Sequence, residues 1–233
     1  MNTNKAFLVS LAVAALALSG CGGGRATNSS PASARRVVLE WDATGATSRI
    51  ASYRTELKNE VVHVAAEHGD LFAVVLDGQP LTTSSVTARN FAETPPDGIE
   101  PNHANEALAA GFAHDFITSF TPQETVAGSG QLQGLMLAAQ TPHVGEVVLW
   151  SDGVVNEPAD GFDLSAASVP ELNAEIARWK PKLAGLRGVT VVIVGVGRGV
   201  HRIATVERAH RLFSALVEGN GGRLVWTPTL AQR

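Results

Sequence analysis

Three carboxylates stand where apolar runs end: Asp42 after Val37–Trp41, Asp77 after Leu71–Leu76, and Asp152 after Glu146–Trp150. An aspartate at the end of a strand has two physical roles open to it. It can hold a ligand, or it can accept hydrogen bonds from the amides of the turn and helix that follow. Trp41 and Trp150 stand beside two of these carboxylates, where an aromatic pair serves either as a floor under a ligand or as cover for the helix layers. The second role is the commoner one for side chains of that size. Other chemistries fail on spacing. Gly195-Val196-Gly197-Arg198-Gly199 lacks the third glycine of a dinucleotide loop, since Val200 stands there, and it lies near the chain end rather than after a first strand. No nucleotide site is expected. Ser129 sits in Ala-Gly-Ser-Gly-Gln, which is not a nucleophile elbow. None of the seven histidines forms a His-x-x-x-His pair, and the single cysteine excludes an internal disulfide framework or a Cys-rich zinc site. No catalytic residue is expected. A formal net charge of −4 gives the chain no electrostatic footprint for nucleic acid.

The elements that would position these residues alternate between strand and helix patterns. Val37–Trp41 reads as a strand. Ile50, Tyr53, Leu57, Val61 and Val64 follow at helical spacing, and Gly69 is a helix stop. Leu71–Leu76 is a buried strand, and 81–91 an edge strand rich in Thr, Ser and Val. After a Pro- and Gly-rich loop at 92–102 comes a helix with Leu108, Phe112, Phe116 and Phe120 on one face, then a helix at 131–140 and a strand at 146–150. The loop at 154–168 carries Glu157, Asp160 and Asp163, either spare oxygens for a ligand or a solvated face. Ser168 and Glu171 form a capping box before a helix that buries Leu172, Ile176, Trp179, Leu183 and Leu186, with a break at Pro181. Val189–Val196 is apolar on both faces, as an interior parallel strand is. A last helix carries Ile203, Val206, Phe213 and Val217, and Arg223–Trp226 is a final strand. The pattern predicts an α/β class: a doubly wound, mostly parallel six-stranded sheet with helices on both faces. Glu40 is out of place, a charge inside an expected central strand. It either pairs with an arginine such as Arg49 or marks a strand drawn wrongly.

Residues 1–20 have a short positive start at Lys5 and a 13-residue apolar stretch from Ala6 to Leu18, the pattern of a secretory signal. Their end, Leu18-Ser19-Gly20-Cys21, resembles the lipobox of bacterial lipoproteins. The resemblance implies cleavage before Cys21 and acylation of that residue. It also implies an extracytoplasmic protein anchored by lipid to the cell membrane or outer membrane. Residues 21–36 then form a flexible tether, and 37–233 a single domain.

That domain resembles a von Willebrand factor type A domain over about Val37 to Leu230. The residues that carry the likeness are Asp42-Ala43-Thr44-Gly45-Ala46-Thr47, Gly128-Ser129-Gly130-Gln131-Leu132 and Ser151-Asp152-Gly153. The resemblance implies the strand order 3-2-1-4-5-6, with 81–91 as an antiparallel edge. It implies a divalent cation, usually Mg²⁺, at Asp42, Thr44, Ser129 and Asp152, with a protein partner's carboxylate completing the shell. Two ligand positions are blank, at Ala46 and Gly130, and Thr47 falls one residue late. Mg²⁺ demands near-ideal octahedral oxygen geometry, so these gaps weaken the site. Filling them with Ala46→Ser and Gly130→Thr is expected to raise cation affinity. The implied function is a lipid-anchored protein-binding module with a weakened cation site; the alternative is a metal-free structural component of an envelope or secretion assembly. Cys21→Ser is expected to release the protein from membranes or leave it as unprocessed precursor. Labelled palmitate retained by Cys21→Ser protein would rule out the anchor.

Overall fold

A computed structural model describes residues 36–42, 44, 51–67, 69–76, 81, 86–91, 101–118, 129–157, 162–195 and 202–230. Cys21, Ala46, Thr47, Arg49, Asp77, Phe120, Asp160, Gly197 and Gly199 lie outside the described residues. Five helices and eight strands are described: β1 (Arg36–Asp42), α1 (Ala51–Ala66), β2 (Asp70–Leu76), β3 (Val86–Asn90), α2 (Pro101–Thr118), α3 (Gln131–Gln140), β4 (Val144–Trp150), β5 (Asn156–Glu157), β6 (Phe162–Asp163), α4 (Val169–Trp179), β7 (Thr190–Val194), α5 (Ile203–Val217) and β8 (Arg223–Thr227). Six strands form one sheet in the order β3-β2-β1-β4-β7-β8. Every neighbouring pair in it is parallel except β2 with β3, which is antiparallel, so β3 is the expected edge strand.

Alternation along β1 divides the interior in two. Val37, Leu39 and Trp41 face a core shared with α1 and α2, built on Tyr53, Leu57, Val61, Ala109, Ala113 and Phe116. Val38 faces the other core, shared with α3, α4 and α5 and containing Leu132, Leu135, Leu172, Leu212 and Phe213. Both cores close within Ser33–Arg233, one compact unit that has what it needs to fold by itself. Trp41 and Trp150 are register partners and are buried under the first helix layer, so they are core and not a ligand floor. Interior strands packed on both faces read as continuous apolar runs, which is why β1, β2, β4 and β7 fall where the sequence places them.

Three local expectations need correction. Leu108 is 41% exposed, because α2 packs with its alanines, Ala109 and Ala113, whose small size allows a close approach to α1. Ile203 is 78% exposed, since it opens α5 before the buried face begins at Thr205. The loop after β4 contains a small antiparallel ladder, β5 with β6. At α4 the capping box forms as expected: Ser168 N donates to Glu171 Oε2 at 2.7 Å and Glu171 N donates to Ser168 Oγ at 3.5 Å. Pro181 ends the α-helix, and Lys180–Leu186 continues as 3₁₀ turns that bury Leu183 and Leu186.

Glu40 is correctly drawn in β1, and it is wholly buried with neither carboxylate oxygen hydrogen-bonded. Burial alone raises its pKa well above the ordinary glutamate value, so the side chain is held as a neutral acid. Gly134 of α3 gives it room. A Cβ at that position would lie 2.5 Å from Glu40 Oε2. Replacing a mid-helix glycine by alanine ordinarily stabilises by about 1 kcal/mol. Gly134→Ala is instead expected to destabilise this chain and to be relieved by Glu40→Ala, with a coupling of about 0.5–3 kcal/mol. Denaturant melts of the two single variants and the double variant measure it; additive effects would contradict the contact.

Candidate functional site

A parallel sheet presents the carboxyl ends of its strands, and the amino ends of the following helices, at one pole. Asp42 ends β1 there, opposite Leu76 of β2, while Trp41 pairs with Trp150 of β4, so Ser151 and Asp152 emerge beside Asp42. Ser129, Gly130 and Gln131 open α3 at the same place. The fold thus gathers Asp42, Thr44, Ser129 and Asp152, drawn from three separate stretches of chain. It adds two residues not expected from sequence, Gln131 and Ser151.

Asp42 is 2% exposed, and its carboxylate is met on every side by protein donors. Oδ1 accepts from Thr44 N at 3.1 Å and Thr44 Oγ1 at 2.7 Å. Oδ2 accepts from Gln131 Nε2 at 3.0 Å and Ser151 Oγ at 2.7 Å. Gln131 Nε2 also donates to Val154 O at 3.2 Å, and Ser151 Oγ accepts from Gly153 N at 3.0 Å. Asp152 Oδ1 accepts from Val154 N at 2.9 Å, which closes the turn after β4. The electrostatics pull in opposite directions. Burial raises the Asp42 pKa to about 7; the Thr44 hydroxyl holds it down, the nearby Asp152 carboxylate adds to the rise, and the Ser151 hydroxyl and Thr44 amide oppose it. Burial is the largest of these effects.

Two oxygens at this pole are different. Ser129 Oγ and Gln131 Oε1 are buried and have no hydrogen-bond partner. The orientation of the Gln131 amide is set by its neighbours, because its nitrogen faces two acceptors, Asp42 Oδ2 and Val154 O. Gly130 between them has φ 64°, with no side-chain cap on the helix it precedes. A threonine at that φ is strained by its branched Cβ. Gly130→Thr therefore costs stability where the sequence alone suggests only a gained hydroxyl.

The donor set does not suit a hard dication bound directly by Asp42. Each carboxylate oxygen already carries two protein donors, and an Mg²⁺ ion at 2.0–2.1 Å would have to displace one, the Gln131 amide above all. Among the described residues no group of three His, Cys, Asp or Glu side chains gathers as a metal cluster. Asp163, one of the spare acids of the following loop, is occupied in its own turn, accepting from Ser165 N at 2.8 Å and Ser165 Oγ at 2.6 Å. Asp160 lies outside the described residues, as does the side chain of Glu157. Among the described residues no helix is long and apolar enough to cross a membrane. No protein-family model matches the chain, and no curated protein matches it in sequence.

The buried state of Asp42 has a pH signature. The folded chain keeps its proton up to about pH 7, whereas the ordinary value is 3.8. Between those values the unfolded chain releases a proton that the folded chain retains. The contribution of Asp42 to stability therefore falls as pH rises from about 4 to about 7 and is level above that. The loss attributable to Asp42 is on the order of 4 kcal/mol. Denaturant melts across this window are expected to show the fall in the wild type and a shallower slope in Asp42→Asn, with Glu40 contributing in the same direction. The slope is the readout, since Asp42→Asn also shifts the baseline by disturbing the Gln131 contact. Identical slopes would show that Asp42 titrates normally.

Proposed function

We propose that the chain is a lipid-anchored, extracytoplasmic protein-binding module of von Willebrand factor type A-like fold, tethered through Cys21, that meets its partner at the carboxyl-end pole. The observation that carries this reading is the pair of buried, unpaired oxygens, Ser129 Oγ and Gln131 Oε1, at the opening of α3. An unpaired buried polar atom costs about 1–3 kcal/mol, and a ligand group that pairs with it recovers that cost. The strand order and the antiparallel edge strand support the type A-like reading of the fold. So do the positions of Asp42, Thr44, Ser129 and Asp152 around one point of the sheet.

The module works without a cation on Asp42. Gln131 supplies a neutral donor to the carboxylate where the family would use a metal, and the Thr44 and Ser151 hydroxyls complete the shell. Binding is then a matter of hydrogen bonding and shape, not of metal coordination by the partner. The same saturation of Asp42 favours a second reading, a metal-free structural component of an envelope or secretion assembly that uses the fold as a scaffold. The two differ at Ser129. In a scaffold the unpaired hydroxyl contributes nothing to assembly; in a binding module it does.

Affinity capture from envelope extract by the whole chain, with Mg²⁺ or with chelator, tests both. Capture is expected to be equal in the two buffers. Ser129→Ala is expected to keep or raise thermal stability, since it removes an unpaired polar group, and to weaken capture about tenfold, the equivalent of one hydrogen bond. Capture that survives Ser129→Ala unchanged supports the scaffold. A one-to-one Mg²⁺ isotherm in calorimetry, or capture abolished by chelator, overturns the metal-free site.

A further inference from the structure

The opposite pole of the sheet carries a charge pattern that the carboxyl-end site leaves unexplained. Residues 178–187 contain four bases and no acid, in a chain whose net charge is −4. The 3₁₀ turns after α4 place Lys180, Lys182 and Arg187 on the surface, and all three are exposed. These turns are fixed at the pole where the parallel strands begin. Gly185 lies against the carbonyl of Ala139 at the end of α3, Asn220 Nδ2 donates to Lys180 O at 3.0 Å, and Gly188 N donates to Gly221 O at 3.0 Å. Arg223, exposed at the start of β8, donates its amide to Val189 O at 2.9 Å and so joins the group. The Lys182 ammonium stands 4.4 Å from the Trp179 ring centroid.

The nearby acids are mostly engaged. Asp70 pairs with Arg36 at 2.8 Å, and Glu175 accepts from Arg178 at 2.8 Å and from Trp179 Nε1 at 2.7 Å. Glu218 is the acid left exposed beside the turns. Lys180, Lys182, Arg187 and Arg223 make no ion pair among the described residues.

The chain also enters the domain here. Arg36 begins β1, and its guanidinium donates to Pro142 O at the end of α3. Fourteen residues separate it from Cys21. A lipid on Cys21 would therefore join the domain at the pole where β1 begins.

We propose that Lys180, Lys182, Arg187 and Arg223 form a docking surface for an anionic phospholipid bilayer, set at the end of the domain where the tether enters. The membrane's presence rests on the lipid-anchor reading of Cys21; the affinity of the patch does not. Docked this way, the domain turns Asp42, Ser129 and Gln131 away from the bilayer and toward a partner.

The test uses the Ser33–Arg233 unit, which contains both cores and lacks Cys21, so acylation has no part in the result. It is sedimented with vesicles of phosphatidylcholine, with and without phosphatidylglycerol. Binding is expected to the phosphatidylglycerol vesicles alone and to be released by high salt. A single neutralisation, Lys182→Gln, is expected to weaken partitioning about fivefold, the share of one base near an anionic surface. The fourfold variant Lys180→Glu, Lys182→Glu, Arg187→Glu, Arg223→Glu is expected to abolish it. Arg54→Glu with Lys58→Glu, on the exposed side of α1, is expected to leave it unchanged, and circular dichroism checks that each variant is folded. Equal binding to both vesicles, no binding to either, binding to heparin but not to vesicles, or full binding by a folded Lys182→Gln variant would each overturn the proposal. Labelled palmitate on Cys21 tests the anchor separately.

Discussion

A carboxylate buried at the end of a central strand must either lose its charge or be surrounded by donors, and Asp42 imposes that demand on its own loop and on two distant stretches of chain. Thr44 answers from the loop after β1, Ser151 from the end of β4, and Gln131 from the first turn of α3. The parallel pairing of β1 with β4 brings two of these together, and the packing of α3 across both strands brings the third. Removing any of them leaves a buried acceptor short of a partner, which costs more than the bond contributed. The position of α3 and its unpaired oxygens, and hence the candidate site, therefore depends on this one group.

Much of this frame was legible in the amino-acid sequence because burial on both faces writes itself as an apolar run. β7 falls within the stretch read as a strand, β2 exceeds its stretch only by Asp70, and the break after Trp179 follows from the fixed backbone of Pro181. The capping box was legible for the same local reason. What was not legible is tertiary. The Gln131 amide meets a carboxylate 89 residues earlier and the Ser151 hydroxyl one 109 residues earlier, and no pattern of spacing encodes such a contact. The signal available was only that each polar residue adjoins a position already under suspicion. On α2, Phe112 and Phe116 pack on the core as the spacing suggests, whereas Leu108 is exposed, because the small Ala109 and Ala113 are what let the helix approach α1 closely. The ladder of β5 and β6 escaped notice since strands of two residues have no periodicity to read.

The two ends of the sheet carry different physics. At the carboxyl end, polar groups are drawn inward and matched against one another at hydrogen-bond distance, where a misplaced atom is costly. At the amino end, bases stand in solvent, where interactions are long-ranged, weak individually and sensitive to salt. One end suits selection of a shape, the other orientation on a charged plane. Glu40 belongs to neither. It is a neutral acid enclosed between β1 and Gly134, whose fit turns a helix-weakening glycine into a requirement.

The antiparallel edge bears on crowding. A protein confined to a surface meets its own copies far more often than one free in three dimensions, and an open strand edge is a template for pairing with the next molecule. Here the β3 edge is five residues long, and Thr87, Ala88, Arg89 and Asn90 turn exposed side chains outward, while the β8 edge opens with the exposed Arg223. Short, polar and charged borders of this kind discourage sheet-to-sheet polymerisation, and on the proposed lipid-anchored reading they would let crowded copies remain separate molecules.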